Sequence, residues 1–403
     1  MRIILDARNT GRAMGTGVTT YTKTLAEALK NQQEISVGWL HEASGLQPAA
    51  SQHSHSFPAR SLRFARALSS RRRKGFAGTG PQTGNLIAED IFRIGHVHFN
   101  IFGKLLAVEP TEEPSIMHWT CPLPLYMPGC PNIVTIHDLI PILHPEFCQT
   151  DPRRTQRMLE CVIDRADLII TISESVKKDI MAHFGLPPER IHAIHQATNI
   201  QAELSRTHSI GQTPCPDGSF IHIGTIERRK NIARVIRAHS LSHTTRTLVL
   251  IGPDGFGAHQ ELAALSEHLH PERVMRLPWI SRPDLLAALT KARAIVFPSL
   301  AEGFGLPIVE GMALGIPVLT SQGGTTEEIA GGAGCLVDPF DIGSITEGLI
   351  ELDRDETLCR NLVALGRERV KHFNPHDYGL RFSALYREVL AGRQPSSCHN
   401  PTV

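Results

Sequence analysis

Short apolar runs alternate with helical patterns along nearly the whole chain, and this alternation leaves few ways to fold. "RIILDA" reads as a strand, and "GVTTYTKTLAEALKN" from Gly17 as a helix. "SIMHWT", "NIVTIHD", "DLIITIS" and "IHAIH" follow, each strand-like and set apart by loops or helices. A second series comprises "FIHIGT", "TLVLIG", "VMRLPWI", "AIVFPS" and "PVLTS". Strands fed by helical crossovers build parallel sheets with both faces covered. The expected class is therefore α/β, with two doubly wound, Rossmann-like units. The break between them is Asn199 to Ser219, which is polar and aperiodic. A length of 403 residues fits two such domains. Their expected extents are 1–200 and 201–375. Residues 376–403 are expected to form a helix returning to the first domain, plus a tail.

The charges are balanced, with 41 Lys and Arg against 40 Asp and Glu, which argues against a nucleic-acid partner. None of the eight cysteines forms a Cys-x-x-Cys pair, so neither a zinc ribbon nor a disulfide scaffold is indicated. "MRIILDARNTG" opens directly on a strand pattern, so no signal peptide is read. No apolar stretch approaches the ~20 residues of a membrane helix. A cytoplasmic enzyme is the expectation. Residues 47–88 stand apart, rich in Ser, Gly and Pro, with a basic run at Arg71, Arg72, Arg73 and Lys74. Arg60, Arg63 and Arg66 precede it at helical spacing. The segment reads either as a solvated insertion or as a basic, partly amphipathic element. In the second case the 60–74 segment would meet anionic lipid at the inner face of the cell membrane.

Doubly wound sheets place ligands beyond the carboxyl ends of their strands, and the candidate residues lie there. Gly15 and Gly17 precede the first helix, where free backbone N–H groups favour an anion and a plain tight turn is equally served. After "FIHIGT", Arg228, Arg229 and Lys230 stand where a strand hands over to a helix. Cations oppose the dipole at such a position, so a bound diphosphate would account for them. After "AIVFPS" comes "LAEGFGLPIVEGMALG", with Glu302 and Glu310 separated by seven residues and no basic residue nearby. Pro307 suits a first helical turn and Gly315 a stop, so a helix is expected from about Leu306 to Leu314. Glu302 then sits in the loop and Glu310 one turn into the helix. Carboxylates for hydroxyls beside helix-end donors for phosphate fit a sugar nucleotide.

These segments resemble the retaining glycosyltransferases of family four, which have the GT-B fold. "EGFGLPIVE" resembles the family's glutamate motif, "GTIERRKN" its Arg-Lys motif and "GTGVTTYT" its N-terminal glycine-rich loop. "NIVTIHDLIPILHPE" and "ADLIITISESVKKDI" resemble its acceptor-domain signatures. Two departures are Gly311, where Ala is commoner, and "AIHQATN", where the common form ends in Asn-Gly-Val/Ile-Asp.

The resemblance implies two domains facing a deep cleft and a set of roles. Glu310 would hold the ribose hydroxyls. Glu302 would contact the transferred sugar and stabilise positive charge at its anomeric carbon. Gly17 belongs to the donor loop, and Gly303, Phe304, Gly305 and Leu306 would offer backbone donors. Arg229 and Lys230 would neutralise the leaving diphosphate. The backbone through Trp279 and Ile280 would lie against the base. His118 would stand beside the reacting carbon, with His137 and Asp138 near the acceptor. The cationic side chains do the work of a metal, so none is required. Asp353 and Asp355 in "DRDE" imitate an Asp-x-Asp metal motif but read as a solvated loop.

The implied donor is GDP-mannose, with UDP-glucose second. The implied acceptor is a glycan or lipid-linked saccharide of cell-surface polysaccharide. A GT-B epimerase or phosphorylase and a non-catalytic sugar-nucleotide binding module are the competing readings.

Overall fold

The computed structural model describes residues 1–10, 17–43, 72–77, 84–200, 203–204 and 215–392. Two sheets organise them. The first contains β1 (Arg2–Asp6), β2 (Ser36–Ala43), β3 (Arg72–Ala77), β4 (Leu86–Glu89) and β5 (Leu106–Pro110). It continues with β6 (Ile116–Trp119), β7 (Leu125–Tyr126), β8 (Asn132–Ile136), β9 (Leu168–Thr171) and β10 (Ile191–Ala193). Their order is β10-β9-β8-β6-β1-β2-β4-β3-β5-β7. The second sheet holds β11 (Phe220–Ile223), β12 (Leu248–Ile251), β13 (Val274–Leu277), β14 (Ala294–Phe297), β15 (Val318–Ser321) and β16 (Cys335–Val337). Its order is β13-β12-β11-β14-β15-β16 with every pairing parallel. In each sheet the order runs outward both ways from an early strand, the signature of double winding.

The central strands are apolar because both faces are covered. Ile3, Ile4 and Leu5 of β1 and Ile295, Val296 and Phe297 of β14 have no exposed surface. The helix Pro375–Gly392 packs on the helix Gly17–Lys30 beside the first sheet. Gly379 permits this approach, because a Cβ there would meet the Ala28 carbonyl oxygen at 2.6 Å. Tyr378, Phe382 and Tyr386 from the same helix are fully buried.

Two sequence expectations need correction here. The basic run is neither loop nor helix at Arg72–Lys74, which belong to β3, parallel to β5 and antiparallel to β4. Arg60, Arg63, Arg66 and Arg71 lie outside the described residues. Asp353 and Asp355 are not a solvated loop. Asp353 ends the helix Ile342–Arg354, where it pairs with Arg246 at 2.5 Å and accepts the Thr244 hydroxyl at 2.8 Å. Asp355 caps the next helix, accepting from the backbone N–H groups of Thr357 and Leu358.

Candidate active site

Between the carboxyl ends of the two sheets lies a cleft of about 490 Å³. From the first sheet it is lined by His137 and Asp138 after β8, Ile172 after β9 and Gln196 after β10. Gly17 at the start of the first helix also lines it. From the second sheet come Gly224 after β11, the segment Glu302 to Pro307 after β14, and Arg229, Arg282 and Glu310. Gly15 lies outside the described residues.

Glu302 has basic partners after all, supplied by a strand end 72 residues away. Lys230 Nζ donates to its Oε1 at 2.5 Å, and Arg229 meets its Oε2 at 2.8 Å. Arg229 also pairs with Glu227 at 2.6 Å. Glu302 and Lys230 side chains are each 8% exposed. Burial alone would raise the Glu302 carboxyl, but Arg229 and Lys230 outweigh it and hold the group down at about 2. Burial lowers the Lys230 ammonium, against the opposing pull of Glu302. Two cations of the tight 3₁₀ turn Arg228–Lys230, Arg229 and Lys230, thus have a protein anion as partner. Lys230 is also held 4.3 Å from the Phe297 ring centroid.

Glu310 is the fifth residue of the helix Leu306–Leu314, which starts and stops where Pro307 and Gly315 place its ends. Its Oε1 accepts from Arg282 at 2.7 Å, and Arg282 also pairs with Glu203 at 2.8 Å. Arg282 was not a sequence candidate. It follows Ser281, which caps its own helix, and nothing local ties it to Glu310.

The loop before that helix touches the opposite sheet. A Cβ on Gly303 would meet the His137 carbonyl oxygen at 2.2 Å, so only glycine fits. Ser173 Oγ donates to the Gly303 carbonyl at 3.1 Å. Nearby, Glu328 accepts from His195 Nε2 at 2.6 Å and from the backbone N–H groups of Glu174 and Ser175, each at 2.7 Å. A carboxylate from one half thereby caps a helix of the other.

Of the two histidine candidates, only His137 lines the cleft. His118 lies within β6 and has no exposed surface. Its Nδ1 bonds the Tyr386 hydroxyl at 2.6 Å and its Nε2 the Thr135 hydroxyl at 2.8 Å. Burial, with a small contribution from His137, lowers it to about 3. His118 is thus tied to Tyr386 of the C-terminal helix and is not among the residues lining the cleft. His137, one residue past β8, lines the cleft instead, its Nε2–H donating to the Thr120 carbonyl at 2.8 Å. That bond leaves the lone pair on Nδ1. Burial lowers His137 and raises the neighbouring Asp138.

Trp279 and Ile280 also depart from expectation. Neither lines the cleft, and Trp279 is 62% exposed, because the chain turns outward after β13 to enter the helix Arg282–Thr290. Lys230 lies just beneath the cleft floor, with Nζ 3.7 Å from where a Gly224 Cβ would stand. Gln196 was missed by sequence reasoning. It is 2% exposed, lines the cleft, and its Nε2 has no partner among the described residues. Its signal was the departure at "AIHQATN".

Two doubly wound sheets facing a cleft of this kind define the GT-B architecture. The sucrose-phosphate synthase of Thermosynechococcus elongatus superposes with a TM-score of 0.68 at 19% identity, covering 97% of this chain and 99% of that one. Anabaena HepE, solved with UDP and glucose, superposes at 0.62 with 16% identity, covering 96% and 100%. Residues 15–202 match the family described as Glycosyltransferase Family 4, and residues 206–369 match Glycosyl transferases group 1. The chain belongs to these glycosyltransferases. Among curated relatives, the O-antigen chain mannosyltransferase B of Escherichia coli is 27% identical over 259 residues, which are 60% of this chain and 66% of that protein.

Proposed function

We propose that the chain is a retaining glycosyltransferase that moves a hexose from a nucleotide sugar to a glycan or lipid-linked saccharide. The observation that carries this reading is the pairing of a Glu302–Arg229–Lys230 cluster with a Glu310–Arg282 pair on the second-sheet side of one cleft. Such a site holds a diphosphate at one end and a polyhydroxyl group at the other. Glu310 exchanges Arg282 for the ribose hydroxyls. Arg229 and Lys230 stabilise the anion that develops as the diphosphate leaves. Glu302 stands close enough to both cations to share them, and it faces the positive charge that grows at the anomeric carbon. Gly17, Gly303, Phe304, Gly305 and Leu306 supply backbone contacts, and His137 with Asp138 faces the acceptor. With the two faces of the sugar held this way, attack from the leaving-group side retains configuration.

GDP-mannose is the first donor, supported by the likeness to an O-antigen mannosyltransferase. UDP-glucose is second, supported by a fold neighbour solved with UDP and glucose. Among the described residues no helix is long and apolar enough to cross a membrane. A lipid-linked acceptor would bring the chain to a membrane face through residues 60–74, and co-sedimentation with anionic vesicles at low salt tests that contact. The reaction itself is tested by a thermal-shift panel of nucleotide sugars followed by an assay for nucleoside diphosphate release. Stabilisation and turnover by GDP-mannose or UDP-glucose are expected. A chain that neither binds nor turns over any nucleotide sugar contradicts the proposal.

A further inference from the structure

A second chamber opens behind the Glu302 loop. It has a volume of about 210 Å³ and shares Asp138 and Glu302 as a common wall with the larger cleft. The two chambers differ in charge. Arg229 and Arg282 line the larger one, whereas no Lys or Arg lines the smaller. The smaller one presents Asp138, Asp179 and Glu302, with hydroxyls from Ser175, Thr325 and Thr326. The lining thus offers an anion no Lys or Arg partner, and a neutral polyhydroxyl ligand finds acceptors and donors.

Its rim is apolar. Phe340, just after β16, is 66% exposed, and Leu143 on the opposite half is 40% exposed. Large apolar side chains left in water at the mouth of a polar chamber mark a binding surface. The Arg234 guanidinium lies 5.8 Å from the Phe340 ring centroid and steadies the ring. An aromatic face beside carboxylates and hydroxyls suits a sugar, whose C–H face is apolar and whose edge is polar. The volume lies below the roughly 300–1,000 Å³ of a pocket that holds a whole ligand, so it takes one ring or a chain end.

We propose that this chamber binds the terminal, uncharged sugar ring of the acceptor, with Phe340 as its stacking surface and the ring's reacting hydroxyl presented to the donor at the Asp138–Glu302 border where the two chambers meet. The proposal rests on the glycosyltransferase reading above and adds that the acceptor's terminal ring carries no phosphate.

Ligand-observed NMR tests it with the full chain saturated in GDP or UDP, using methyl α-mannoside and methyl α-glucoside as probes and mannose 6-phosphate as the charged control. Saturation transfer to a methyl glycoside is expected, with none to mannose 6-phosphate. Phe340→Ala should weaken the glycoside at least tenfold, and Phe340→Tyr should restore it. Phe340 is exposed and its loss leaves the fold in place, which an unchanged melting temperature checks. If the glycoside binds equally well to Phe340→Ala, or mannose 6-phosphate binds as well as the glycoside, the chamber is not the acceptor site. If a nucleotide binds and neither glycoside does, the chamber proposal fails while the donor reading stands. If no nucleotide binds, the donor reading fails and the chamber proposal with it.

Discussion

Glu302 and Glu310 belong to one motif and are both largely enclosed, yet their basic partners differ in exposure. Glu302 is enclosed, 8% exposed, and shared between two cations drawn from another strand end. Glu310, 13% exposed, meets Arg282, whose side chain is 41% exposed and divided with Glu203. An enclosed charge must be compensated by the protein at all times, because desolvation of an unpaired carboxylate is costly. A pair open to solvent can be exchanged for a ligand at little cost. The motif therefore couples a fixed electrostatic centre in the loop to an exchangeable hydroxyl acceptor in the helix that follows it.

The largest effect should come from breaking the enclosed side. Glu302→Ala leaves Arg229 and Lys230 facing each other without their shared anion, and should cost about 3–5 kcal/mol. Chemical denaturation measures it. A cost below about 1 kcal/mol would show that the cluster is solvated and that the contrast with Glu310 is false.

Acid sharpens the same contrast. Burial holds His118 at about 3 and His222 and His239 at about 4, against an ordinary 6.5. The unfolded chain takes up these protons first, so their contribution is complete above about pH 6.5 and is lost as pH falls toward 4. Glu302, held at about 2 against 4.5, gives stability that is present above 4.5 and lost only as pH falls toward 2. Melting temperature should therefore fall first in the histidine window. The deficit of Glu302→Ala should stay constant from pH 7 to 5 and shrink only below that. A deficit that shrinks between pH 6.5 and 5 would mean that Glu302 is not held low.

The smallest effect belongs to the exchangeable side. Arg282→Ala should change stability by about 0–1 kcal/mol, since its pairs are partly solvated. Thermal unfolding checks this, and a loss above 2 kcal/mol would make Arg282 part of the fold.

Much of this was legible in the chain. The second sheet followed from five apolar runs, and the helix at Leu306–Leu314 from Pro307 and Gly315 alone. β2, β3, β4, β5, β7 and β16 were not read. "SVGWLHEA" mixes polar residues into its run, and "LAVEP" and "CLV" are too short to show a period. The partner of Glu302 was hidden because residues 72 positions apart meet only through the parallel order of β11 and β14. The burial of His118 was hidden for a similar reason. His118 and His137 both end strand-like runs, but His118 stays inside β6 under Tyr386, contributed from 268 residues away, while His137 lies beyond β8. The readable signal was position past the strand end, where doubly wound sheets keep their ligands.

Calorimetric titration of GDP and UDP into the wild-type chain and into Glu310→Ala tests the central claim most directly. The account predicts that at least one diphosphate binds, and that Glu310→Ala weakens it by about 1.5–3 kcal/mol, roughly 10- to 150-fold, with the fold intact. Equal affinity for wild type and variant, or no binding of either diphosphate to wild type, would contradict it.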